Sequence, residues 1–173
     1  MNIKTRILGI LMIGAMAATL SVVGAGVAHA ESAFHPIRNT WTGMCLQPQS
    51  VDNFAPIVQM DCNGDLQIQR WYMDKLATNH YRIVNQATGL CFNAFDGAFN
   101  GARILQVDCV PISNEEFNTG APIPGDVKLE SRVRFRDNGY CIGVPGAASI
   151  AGLAVVLFTC GTSLGQQWSV GSG

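Results

Sequence analysis

The stretch Asn39-Thr40-Trp41-Thr42-Gly43-Met44-Cys45-Leu46 returns as Asn85-Gln86-Ala87-Thr88-Gly89-Leu90-Cys91-Phe92. A third, more distant version is Phe135-Arg136-Asp137-Asn138-Gly139-Tyr140-Cys141-Ile142. Each leading cysteine is followed by a second one, giving the pairs Cys45 and Cys62, Cys91 and Cys109, Cys141 and Cys160. An aromatic follows each pair: Trp71 nine residues after Cys62, Phe117 eight after Cys109, Trp168 eight after Cys160. Two of these close a Q-x-W element, Gln69-Arg70-Trp71 and Gln166-Gln167-Trp168, and the middle copy reads Glu115-Glu116-Phe117. A threefold internal repeat with this period decides the architecture ahead of any residue propensity.

Working outward, the copies span about 37–82, 83–132 and 133–170. Leading cysteines are 46 and then 50 residues apart. The four extra residues fall between Phe117 and Cys141, where Gly120-Ala121-Pro122-Ile123-Pro124-Gly125 reads as a breaker-rich loop. Within each copy the pattern is strand, glycine turn, strand, polar loop, strand. The last of these are Ile57–Met60, Ile104–Val107 and Val155–Phe158. No stretch outside the N-terminus keeps a helical apolar period, although single turns near Leu66–Gln69 and Asn114–Phe117 are expected.

The class is therefore all-β. A propeller needs about four blades. Three copies of a four-stranded unit make a β-trefoil of twelve strands with a pseudo-threefold axis. The Q-x-W aromatic then enters the shared core, where a large ring buries the most area. The glutamine two residues earlier caps loop backbone groups. In the second copy Phe117 still fills the core, but Glu115 cannot donate as an amide does.

Residues 1–30 read as a secretory signal: a basic start at Lys4 and Arg6, an apolar run from Ile7 to Val23, and Ala28-His29-Ala30 as the cleavage site. An uncleaved anchor is the lesser reading, because the run is short and lacks a basic stop-transfer flank. The expected mature chain, 31–173, is one domain with nine basic and twelve acidic residues, a net charge of −3. That excludes non-specific nucleic-acid binding, which needs a basic face.

Export gives the cysteines their meaning. In an oxidising compartment an even number at repeated spacings implies disulfides. Pairing within each copy is the one solution that treats the copies alike. Zinc is disfavoured: C-x2-C spacing is absent and the mature chain has only His35 and His80. No cofactor is implied. Catalysis has little support, since both histidines are isolated and glycoside hydrolysis needs two placed carboxylates.

The tripled set of Gly-φ-Cys-φ, loop, φ-Gln-φ-x-Cys and Gln-x-Trp resembles the ricin B-type lectin family over nearly all of Asn39–Val170. The resemblance implies binding of a glycan or polysaccharide, with up to one shallow pocket per copy. Such a pocket has an Asp two residues after the leading cysteine, an aromatic platform two before the trailing one, a Gln on that strand, and an Asn before Q-x-W. Carboxylates and amides pair with adjacent hydroxyls, and the sugar's C–H face stacks on the ring.

This chain departs from that set. The Asp position holds Gln47, Asn93 and Gly143; the platform position holds Met60, Val107 and Phe158; the Asn position holds Ile68, Asn114 and Gly165. The second copy is the strongest candidate, with Asn93, Asp96, Gln106 and Asn114 as polar partners and Phe95 or Phe99 as the ring. Gln47 and Gln59 in the first copy are weaker, and the third copy is weakest. Trp41 reads as an exposed ring or as a cover for the core edge. Arg132, Arg134 and Arg136 read as a solvated strand face or as a docking stripe. The alternative to a secreted lectin-like module is a protein-interaction trefoil, of adhesion or toxin-delivery type, that docks another secreted protein.

Overall fold

A computed structural model describes residues 34–120, 125–127, 129–131 and 139–171. The expected signal segment, residues 121–124 and the three alternating arginines lie outside the described residues. The strands are β1 Phe34–Asn39, β2 Cys45–Pro48, β3 Ile57–Met60, β4 Arg70–Ala77, β5 His80–Asn85, β6 Cys91–Ala94, β7 Ile104–Val107, β8 Phe117–Asn118, β9 Gly125–Val127, β10 Glu130–Ser131, β11 Tyr140–Gly143, β12 Val156–Thr159 and β13 Trp168–Val170. Among the described residues no helix is long and apolar enough to cross a membrane. Short 3-10 turns at Gln67–Gln69, Ser113–Glu115 and Leu164–Gln166 precede the three aromatics.

The strand pairing repeats three times. Cys45 opposes Met60, Cys91 opposes Val107 and Cys141 opposes Phe158. Between copies, Trp71 opposes Asn85, Phe117 opposes Ser131 and Trp168 opposes Asn39. Asn39 and Asn85 each lie six residues before their cysteine, whereas Ser131 lies ten before Cys141. The four-residue surplus therefore sits between Ser131 and Cys141, not in the Pro-rich loop. The third copy accordingly opens with β9 and β10, ahead of the boundary at 133. With these two counted separately, the described residues hold thirteen strands where twelve are expected.

Glycine at the first turn of each copy is a backbone requirement. Gly43, Gly89 and Gly139 have φ of 71°, 69° and 74°, a region closed to most side chains. The disulfides Cys45–Cys62, Cys91–Cys109 and Cys141–Cys160 stay within their copies, as the repeat demands.

The core is built in threes. Trp71, Phe117 and Trp168 are fully buried, as are Leu46, Phe92 and Ile142 from the strands that follow the glycine turns. Burying each such side chain is worth roughly 1.5–3 kcal/mol. Both indoles donate, Trp71 Nε1 to the Leu46 carbonyl and Trp168 Nε1 to the Ile142 carbonyl, each at 3.0 Å. Phe117 has no donor and packs edge-on against Phe92, centroids 6.2 Å apart.

Neighbouring copies are stitched by their polar loops. Phe54 N donates to the Gln106 carbonyl, Gly101 N to Leu157 and Gly152 N to Gln59, each at 2.8 Å. The three donors have φ of 67°, 90° and 82°. Each lies eight residues before its trailing cysteine, but nine, ten and eleven after the leading one. The differences in disulfide loop length, 17, 18 and 19, therefore lie wholly upstream of this left-handed residue. Two copies place glycine there. The first places Phe54, at a strain of about 1–2 kcal/mol for an L-residue.

Candidate functional site

Opposed residues in an antiparallel pair share a face, and alternate residues share it too. Gln47 with Met60, and Asn93 with Val107, consequently lie on one face of their ribbons. Gln59 and Gln106 oppose Leu46 and Phe92 and lie on the other. Both glutamines are fully buried. Gln59 Nε2 donates to the carbonyls of Ala148 and Ile150 at 2.6 and 3.0 Å, and its oxygen accepts from Thr42 Oγ1 at 3.0 Å. Gln106 repeats this with Asp52 at 2.6 Å, Ser50 at 3.0 Å and Thr88 Oγ1 at 3.0 Å. The structure thus places Gln59 and Gln106 as braces that reach from one copy into the loop of another. It does not bring them beside Gln47 or Asn93.

The residue two after each leading cysteine meets the residue that opens Q-x-W. Gln69 accepts from Asn63 N at 2.8 Å and donates to the Asp61 carbonyl and to Gln47 Oε1, both at 2.9 Å. Gln166 accepts from Gly161 N at 2.8 Å and donates to the Thr159 carbonyl at 2.9 Å. Both amides cap the loop beside the trailing cysteine, the role their type and position suggest. Glu115 accepts from Val110 N at 2.8 Å and faces Asn93 Nδ2 at 3.5 Å, with Arg82 Nε 3.6 Å away. Arg82 also faces Asp74 at 3.5 Å. Burial pushes the Glu115 carboxyl above its usual range, against the opposing pull of the Val110 N–H, the Asn93 amide and Arg82.

In the third copy the Asp and Asn positions are glycines with little space for a side chain. A Cβ on Gly143 would meet Gln166 Cγ and Phe158 Cδ2 at 3.0 Å, and one on Gly165 would meet the Val144 carbonyl at 2.7 Å. In the first copy Gln47 is held by Gln69, and Ile68 offers no polar group. The second copy differs. Asn93 is buried, and its Nδ2 lies 3.5 Å from Glu115 Oε1, a longer contact than the 2.9 Å between Gln69 and Gln47. Asn114 Nδ2 lies 3.4 Å from the Ala94 carbonyl, which sets it against the end of β6. Phe95 follows at once with its ring exposed. Arg103 is held by Asp96 through two bonds, 2.7 and 2.8 Å, and stands over Phe95 at 5.6 Å. The Arg103 guanidinium holds the Asp96 carboxyl below its usual range. Phe99 and Trp41 are exposed, Trp41 at 60%.

Two framework residues carried no role in the sequence reading. Asn39 Nδ2 donates to the Gly165 carbonyl at 3.0 Å, and Asn85 Nδ2 to the Ile68 carbonyl at 2.8 Å. Their oxygens accept from the turn that follows: Trp41 N and Thr42 N, Ala87 N and Thr88 N. Their recurrence at the head of two copies was the available signal.

The family profile described as ricin-type beta-trefoil lectin domain-like matches residues 26–107. No curated protein matches the chain by sequence. Among solved structures, the designed threefold symmetric protein ThreeFoil is 20% identical with a TM-score of 0.72, covering 80% of this chain and 97% of its own. The Macrolepiota procera ricin B-like lectin, solved with lactose, is 17% identical with a TM-score of 0.65, covering 79% and 93%. A mosquitocidal holotoxin is 16% identical with a TM-score of 0.69; 79% of this chain matches 17% of the holotoxin chain.

Proposed function

We propose that this chain, which resembles the ricin B-type lectins in sequence and is a β-trefoil, is an exported carbohydrate-binding module that reads its glycan through the second copy. The observation that carries this reading is the convergence of three groups at one strand end. Asn93 offers an amide beside Glu115, Asn114 lies against the Ala94 carbonyl, and Phe95 presents a partly exposed ring with Arg103 over it. An acceptor, an adaptable amide and an apolar platform are the parts that a pyranose needs. Asp96 and Arg103 add a charged rim. Gln106 supports the site from behind, and Gln47 and Gln59 leave the first copy with little to offer.

The module binds and does not catalyse. One shallow site binds weakly, in the millimolar range or about −4 kcal/mol, so avidity must come from several chains. Lactose is the first probe, because a trefoil of the same fold was solved with it. A glycan array followed by calorimetry should show lactose or another glycan binding to wild type, with at least about a fivefold loss in Asn93→Ala and Asn114→Ala. Absence of glycan binding by wild type at millimolar concentration would sink the reading. A second reading, a trefoil that docks another secreted protein, draws on the glycines at the third copy's polar positions and the exposed Trp41. Pull-down with Trp41→Ala as control distinguishes it.

A further inference from the structure

Phe54 occupies a place where the fold asks for glycine. Its counterparts by hydrogen bonding, Gly101 and Gly152, make the same 2.8 Å bond to the neighbouring copy with the same left-handed backbone. The seam therefore needs the N–H and the turn, and it needs no side chain. A strained residue persists where something else over-determines it. Burial is not that something, since Phe54 is 56% exposed. Local bonding does hold the turn: Phe54 N also lies 3.0 Å from Asn53 Oδ1, and Asn53 Nδ2 donates across the seam to Asp108 Oδ2 at 2.9 Å. None of this uses the ring.

The ring is directed to a particular neighbour. It meets Phe95 of the second copy edge to face, with centroids 5.6 Å apart and planes at 79°. Phe95 in turn carries Arg103, and Arg103 is clamped by Asp96. One continuous strip results: ring, ring, guanidinium, carboxylate. Arg103 stands over the Phe95 ring, so the Phe54 ring is the more open platform. A protein-docking patch would present a wider apolar area. A strip that alternates aromatic faces with hydrogen-bonding groups matches a saccharide chain, whose rings offer C–H faces rimmed by hydroxyls.

We propose that the glycan site extends across the seam between the first and second copies, with Phe54 as a second stacking platform, so that the ligand is an oligosaccharide of two or more rings. This inference rests on the glycan reading above and adds a subsite to it. The one-ring pocket at Asn93 and Asn114 and the platform at Phe54 are separable by ligand length.

The test is calorimetry with galactose (one ring) and lacto-N-tetraose (four rings) on wild type, Phe54→Gly and Phe54→Tyr. Phe54→Gly keeps the fold, because glycine stands at this position in the other two copies. It should weaken the tetrasaccharide roughly three- to tenfold, the worth of one stacked ring, and leave galactose within about twofold. Phe54→Tyr keeps the ring and should bind as wild type does. Equal tetrasaccharide affinity in wild type and Phe54→Gly overturns the platform and leaves the pocket standing. The same loss in Phe54→Tyr as in Phe54→Gly also overturns it. Binding of neither sugar by wild type overturns the pocket and the platform together.

Discussion

The first and second copies share one strand register and differ at the buried residue that opens the Q-x-W element. Gln69 gives its amide hydrogens to the Asp61 carbonyl and to Gln47, while Glu115 at the matching place has a carboxyl and Arg82 beside it. The loop leading to the second of them is one residue shorter, yet the Val110 N–H meets Glu115 as the Asn63 N–H meets Gln69. The difference teaches that the trefoil needs an acceptor there in every copy and tolerates the loss of the donor in one. What the second copy loses is a donor: Gln69 gives an N–H to the Gln47 oxygen at 2.9 Å, whereas Glu115 as a carboxylate only accepts, from Asn93 Nδ2 at 3.5 Å.

The strongest way to break the comparison is to remove the aromatic that follows. Trp71→Ala and Phe117→Ala should each destabilise by about 3–5 kcal/mol in urea unfolding, the tryptophan more, since the Leu46 carbonyl then also loses its donor. A near-neutral Phe117→Ala would mean that the second copy does not share the core equally.

Next in size are the disulfides. Replacing Cys91 and Cys109 by alanine should lower stability by about 3 kcal/mol. The corresponding change at Cys45 and Cys62 should match it within about 0.5 kcal/mol, because loop length enters only through a logarithm. A large inequality would show that the bridges act through native contacts peculiar to each copy.

The smallest effect is the sharpest. Glu115 holds its proton more tightly in the fold than in the unfolded chain, so the native state carries more protons from its ordinary value, 4.5, up to its raised one. Stability must then fall as pH rises through that window. Glu115→Gln supplies the amide found in the other copies and removes the titration. It should be more stable than wild type by about 1 kcal/mol near pH 7, with the gap closing near about pH 4. A gap that does not change with pH would remove Glu115 as its source.

Much of this was legible in the residues themselves. Three Gly-x-Cys turns, three trailing cysteines and the aromatic that follows each announced the fold, and Gln69 and Gln166 cap the loops their spacing assigned to them. The placement of the candidate site residues was legible in part. Asn93, Asn114 and Phe95 are brought together, but Gln59 and Gln106 face the other side of their ribbons and hold the seams. Their strand position was readable from the spacing, and their partners were not, because Ala148, Ile150, Ser50 and Asp52 lie in other copies. The surplus of four residues was countable but could not be placed until Ser131 was seen opposite Phe117.

The sequence by itself determined the threefold framework, because a repeat forces its copies to share one solution for cysteines, turn glycines and core aromatics. Only the tertiary structure decided where the copies touch. Phe54, Gly101 and Gly152 each lie eight residues before a trailing cysteine, but only the hydrogen bond into a neighbouring copy shows that this place needs a left-handed N–H donor. Seam contacts depend on residues distant in the chain, which no local pattern records.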